Sequence, residues 1–257
     1  MRKLAAILAF LLFSTTSAFG SITLIAHTTA AGNNGATTGS INTTGADLIV
    51  IIIAAQLNKS IATSDSKTNA WSLPVLDSTQ ASTGANQALY MSWSFPTTVG
   101  SGHTFTVSGT GLAAGFMVLA FSGAGGMTNS AFSAGLLGGS VTPPFSNSLI
   151  VSGVSCNSTP SSGSFTINSG FTITDQQLFT GGSNYAGAAA YLVQTSPAAV
   201  NPNWSATSGT GTCEAGNFVF QPSVSSTTGG SYIAKLHKAP KIPWDRPRRQ
   251  VLLETRI

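Results

Sequence analysis

The segment Leu48-Ile49-Val50 returns 101 positions later as Leu149-Ile150-Val151, and other landmarks keep nearly the same spacing. Tyr90 and Pro96 recur as Tyr191 and Pro197 at an offset of 101, and Ser108-Gly109-Thr110-Gly111 recurs as Ser208-Gly209-Thr210-Gly211 at an offset of 100. A period that long marks one folding unit copied once, so whatever fold the first hundred residues adopt must be adopted twice. None of the matched positions is an acid, a histidine or a cysteine. The repeat therefore speaks to architecture first.

Both copies lack helix signals. Short runs rich in Val, Ile, Thr, Phe and Tyr alternate with clusters of Gly, Asn, Ser and Pro, the rhythm of an all-β sandwich or jelly roll. In the first copy strands are expected over residues 22–28, 47–56, 71–76, 87–95, 103–108 and 113–122. In the second they are expected over 131–141, 148–157, 171–174, 185–194, 203–206 and 214–221. The run from Leu48 to Ala55 has no polar alternation, so it belongs in the middle of a sheet with both faces covered. Residues 87–95 alternate, with Leu89, Met91 and Trp93 on one face and Tyr90 on the other. No charged or Pro-rich linker divides the copies. One compact two-sheet body with duplicated halves of about 100 residues is expected, ahead of two tandem immunoglobulin-like domains.

The chain divides into four expected parts: 1–20, 21–125, 126–222 and 223–257. Arg2 and Lys3, an apolar run over 4–13, and Ala18-Phe19-Gly20 compose a secretory signal with its cleavage site. Ten apolar residues are too few to cross a bilayer, which takes roughly 20. No later segment is long and apolar enough to span, so a secreted or cell-surface location is expected. Two copies of the β-unit follow, and residues 223–257 form a linker and a basic tail.

Charge is distributed unevenly. Only 7% of the residues are charged and the net charge is +4. Between Ser21 and Gly230 there are two cations, Lys59 and Lys67, against five carboxylates, Asp47, Asp65, Asp77, Asp175 and Glu214, a net −3. From Ser231 onward seven cations face two carboxylates, a net +5. The body has nothing to neutralise a row of phosphates, which argues against specific nucleic-acid binding. The tail suits anionic surfaces or the acidic body of another copy.

Cys156 and Cys213 both fall in the second copy; their counterparts in the first are Ala55 and Ala113. If the strands that carry them are neighbours, an oxidising compartment favours a disulfide. A metal site is not expected with two thiols and no histidine nearby. No cofactor fingerprint is present either.

Catalytic constellations are sparse. A glycosidase needs two carboxylates across a cleft, but Asp47, Asp65 and Asp175 sit where turn chemistry accounts for an aspartate. His27 and His103 are not accompanied by a Gly-x-Ser-x-Gly elbow. The chain is thus read as a non-enzyme. Trp71, Trp204 and His103 are the ligand-binding candidates: the two tryptophans have only Thr172 and Thr104 at their matched positions, and His103 is expected at a strand-end rim. Core packing competes with that role for each of them.

Three pieces, Ala46-Asp47-Leu48-Ile49-Val50, Ser64-Asp65-Ser66-Lys67-Thr68-Asn69-Ala70-Trp71 and Val99-Gly100-Ser101-Gly102-His103-Thr104-Phe105-Thr106-Val107, resemble a group of bacterial and phage-associated exported β-sandwich proteins. The resemblance covers residues 22–222 and leaves the tail unmatched. It implies a surface or virion-type structural or adhesive module with no assigned reaction. Together these readings point to a surface-binding or assembly module whose partners are a surface glycan or other copies of itself. A virion, coat or fibre subunit is the first alternative, and a secreted carbohydrate-active hydrolase the second.

Overall fold

The computed structural model describes residues 21–56, 59–76, 87–158, 164–179, 185–207 and 210–223. The expected signal segment over 1–20, the tail beyond Ser223 and Asp77 lie outside them. The described residues hold strands and no helix.

The first copy contributes β1 (Thr23–Thr37), β2 (Leu48–Gln56), β3 (Ala62–Asp65), β4 (Val75–Leu76), β5 (Gln87–Ser94) and β6 (Phe105–Ser122). The second contributes β7 (Ala124–Ala134), β8 (Ser148–Ser158), β9 (Phe165–Ile167), β10 (Thr172–Phe179), β11 (Tyr185–Gln194), β12 (Trp204–Ala206) and β13 (Thr210–Pro222). Strand order in one sheet is β1-β6-β2-β5-β4, with β3 on the early part of β6; in the other it is β7-β13-β8-β11-β10, with β12 paired to β9. The two orders are the same order written twice. Each main sheet therefore comes from one copy, β9 and β12 of the second copy form a separate two-stranded sheet, and all the ladders are antiparallel.

β2 is enclosed on both faces, as its unbroken apolar run requires. Leu48, Val50 and Ile52 enter a core shared with Leu149, Val151, Phe218 and Phe220 of the other copy. Ile49, Ile51 and Ile53 enter a second core with Phe105, Val107 and Phe116, all from the first copy. A third core, around Ile150, Val154, Phe165 and Trp204, belongs to the second copy alone. The fold is a β-sandwich of two duplicated halves: the sheets meet face to face, and each outer face is roofed by its own loops and short strands. Tandem independent domains would not share a core in this way. Each enclosed Ile, Leu or Phe contributes roughly 1.5–3 kcal/mol relative to exposure, so the shared layer is a main source of cohesion.

Cross-sheet contacts repeat the duplication. β5 packs over β8 and β13, while β11 packs over β2 and β6. Trp93 meets Phe220 at 6.4 Å and Phe218 at 5.2 Å, and Tyr191 meets Phe121 at 5.4 Å. Register refines the repeat. Trp93 pairs with Val50 and Tyr191 with Val151, so the counterpart of Tyr191 is Trp93, three residues beyond the Tyr90 that a constant offset of 101 selects. The copies differ by short indels between strands, which a constant offset cannot follow. Gly123 joins the halves at φ 72°, and a Cβ there would come within 2.5 Å of the Ser21 carbonyl oxygen. Only glycine serves at that joint.

Several strand expectations change: the strand expected over 71–76 is described only as β4, and β1 and β10 run on to Thr37 and Phe179. β6 is one strand where two were expected, because Gly109 and Gly111 accompany a register shift against β1 without ending the strand. β7 begins at Ala124, where a strand was expected only from 131. β3 and β9, of four and three residues, fell in stretches read as turn or loop.

Candidate functional site

The motif Ser64-Asp65-Ser66-Lys67-Thr68-Asn69-Ala70-Trp71 folds around its aspartate. Asp65 accepts hydrogen bonds from the N–H groups of Lys67 (2.7 Å) and Asn69 (3.3 Å), from Asn69 Nδ2 (3.2 Å) and from Trp71 Nε1 (2.8 Å). Asn69 then staples this loop to the next, accepting from the N–H groups of Thr97 and Thr98 and donating to the Thr98 carbonyl. His103 lies beside it, stacked on Phe105 at 4.3 Å. Its Nε2 is 3.4 Å from Asp65 Oδ1, and its Nδ1 is 2.8 Å from Thr43 Oγ1.

Threonine hydroxyl, imidazole and carboxylate in this order form an acyl-transfer-like line, but the line is sealed. Thr43 and His103 are 0% exposed, and so is the Asp65 side chain. A nucleophile enclosed in this way meets no substrate, and Thr43 Oγ1 is already engaged with the backbone of Gly100. The group is a brace that closes the outer core of the first copy. Burial holds the His103 imidazole below its ordinary value of 6.5, against the opposing pull of Asp65. Burial raises the Asp65 carboxyl, yet the donors from Asn69, Trp71 and Lys67 together outweigh it and hold that group below 3.8.

The second copy closes its outer core differently. Trp204, 1% exposed, takes the place of Phe105, donates from Nε1 to Ser152 Oγ at 3.0 Å and packs on Phe165. Cys156 and Cys213 are direct partners on neighbouring strands, bonded as a disulfide with Cα atoms 4.1 Å apart. The corresponding pair in the first copy is Ala55 and Ala114, one residue beyond the Ala113 that a constant offset selects.

Of the three ligand-binding candidates, the fold brings Trp71 and His103 together at Asp65 and sets Trp204 apart. His103 sits in the core and not at a rim, because Phe105, Thr43 and Asp65 surround it. Trp204 is likewise enclosed. Trp71 is half-buried, its ring edge-on to Phe105 and its N–H held by Asp65. These rings are committed to packing.

Aromatic surface appears elsewhere. Along the side of the sandwich where β5 faces β13 and β7, the shared core runs outward through Trp93, Phe132 and Phe95. Phe95 is 44% exposed and Met127 37%, both beside Phe220, and Trp93 and Phe132 are half-buried. The sequence signal for this rim was the aromatic alternation of 87–95, but strand order was needed to show which end opens. The opposite side is closed: His27 Nδ1 pairs with Asp175 at 2.9 Å and Thr29 Oγ1 donates to Gln177 at 2.8 Å. A groove of about 420 Å³ lies at the end of that side, lined by Ile22, Leu24, Tyr191 and Val193.

The described carboxylates all work inside the fold. Asp47 accepts from the Gly123 N–H, Asp65 holds its loop, Asp175 pairs with His27, and Glu214, 0% exposed, accepts from the Leu89 N–H at 2.9 Å. Comparison with protein families, curated proteins and solved structures finds no significant match to this chain.

Proposed function

We propose that the chain is a non-enzymatic exported module that binds or assembles at a surface. The aromatic rim carries this reading. Phe95, Met127, Trp93 and Phe132 present apolar surface flanked by the uncharged, exposed stretch 126–130 of β7. Flat rings next to hydroxyl and amide groups suit a sugar ring, which offers an apolar face and a polar edge. The disulfide is compatible with an extracytoplasmic location.

A glycan array probed with the exported chain, and repeated with Phe95→Ser and Met127→Ser, tests the reading. Binding that falls about tenfold or more in the double variant supports it, since each buried apolar contact is worth one to a few kcal/mol. Binding indifferent to both substitutions, or turnover of a bound glycan, would overturn it. Turnover would instead favour a secreted carbohydrate-active hydrolase. A coat or fibre subunit is the second reading, favoured by the bare edge of β7.

For the tail we propose contact with anionic surface polymers. Asp47 is the one exposed carboxylate among the described residues, so the net −3 of the body is not displayed as a patch. Deleting 231–257 should abolish the salt-sensitive part of surface binding while leaving the glycan contacts of the rim.

A further inference from the structure

Among the described residues the two sheets end in β1, β4, β7 and β10, and two of these, β1 and β10, carry a device that stops further pairing. β10 places Asp175 mid-strand, and its Gln176 side chain bonds both the N–H and the carbonyl of Phe165. β1 lies against β10 and is joined to it by the His27–Asp175 and Thr29–Gln177 contacts. β7 is the positional counterpart of β1; Gly139 of the loop that follows packs against Ala131 and Phe132, but the strand carries no charged or proline guard. Its eleven residues include no charge and no proline, and 126–130 are exposed. Its irregular register is confined to the first half; over 129–134 the ladder to β13 is regular. Among the described residues no strand pairs with its outer row of N–H and C=O groups.

We infer that β7 of one copy pairs antiparallel with β7 of a second copy over 129–133, about a two-fold axis at Ala131, joining two five-stranded sheets edge to edge. Neutrality identifies the occupant: a like strand brings no like charge to the contact, and an antiparallel two-fold lets the same residues serve on both sides. The apolar rim supplies the second argument. Phe132, on Phe218 at 5.5 Å, and Met127 extend the interface that already joins the two sheets, and a neighbouring strand continues it outward. The inference is independent of which surface the module meets.

Analytical ultracentrifugation of the exported chain across micromolar concentrations reads it directly. A reversible dimer is expected, with backbone amides of 129–133 slowed in hydrogen exchange. Asn129→Lys with Ser133→Lys weakens that dimer by about a hundredfold or more, since like charges brought together cost several kcal/mol. Ala62→Lys with Ala70→Lys, at exposed positions of the first copy, leaves it intact. Circular dichroism and melting of each variant establish that it is folded. A monomer at every concentration, a dimer that survives the β7 lysines, or open-ended growth would overturn the inference. Glycan binding by Phe95→Ser, a substitution outside β7 that leaves the strand edge untouched, reports separately on the surface reading.

Discussion

Asp65 gathers donors from three residues of its own loop in a place closed to water, so its removal leaves several N–H groups unpaired at once. Asp65→Ala should lower the unfolding free energy by about 3 kcal/mol, the scale of losing charge-assisted bonds at a buried site. Urea titration measures it, and a loss under about 1 kcal/mol would mean that the loop holds itself. His103 adds a pH dependence of definite sign. The unfolded ring takes a proton near 6.5, whereas the folded ring resists it to lower pH. Stability is therefore full above 6.5 and falls as the pH drops from there through the folded value, by at most about 1.4 kcal/mol per pH unit. Asp65 acts lower: its contribution is present above 3.8 and is lost as the pH falls through its depressed folded value. Unfolding curves of His103→Gln should lose the decline that begins near 6.5; an unchanged decline would assign it to other groups.

Among the elements, the paired cysteines and their alanine counterparts offer a two-way comparison. The disulfide closes a separation of 57 residues, so Cys156→Ala with Cys213→Ala should cost about 4 kcal/mol in the chain-entropy model. Ala55→Cys with Ala114→Cys places the same linkage at the matching register of the first copy, where both side chains are already buried. Mass spectrometry should find that bond formed, and thermal melting should show a higher midpoint; a reduced pair would mean that the surrounding isoleucines leave no room for sulfur. Long, apolar strands were legible in the sequence because burial writes itself into them: β2 shows it as an unbroken run. Short strands were not. β3 is mostly polar and pairs only with the early part of β6, so nothing local separates it from a turn. β7 is built of small, uncharged residues without alternation, and its place comes from β13. The same reason hid the enclosure of His103 and Trp204: period-two parity predicts which face a residue takes, not whether loops will roof that face.

For the molecule as a whole, the decisive feature is the layer between the sheets. Glu214 reaches from one sheet to the Leu89 N–H of the other. Glu214→Ala should destabilise the entire body by about 3 kcal/mol as a single transition, visible as parallel shifts in tryptophan fluorescence and far-ultraviolet dichroism; shifts in one probe only would show that the halves unfold separately. Cutting the chain at Gly123 should likewise give two fragments that are insoluble apart and recombine when mixed, because each exposes the row carrying Leu48, Val50 and Ile52 or its counterpart. A solitary copy could hide that row only against a twin, and its survival would then follow the square of its abundance. Fusing the twins into one polypeptide frees the pair from dilution: a single molecule always carries its own other half.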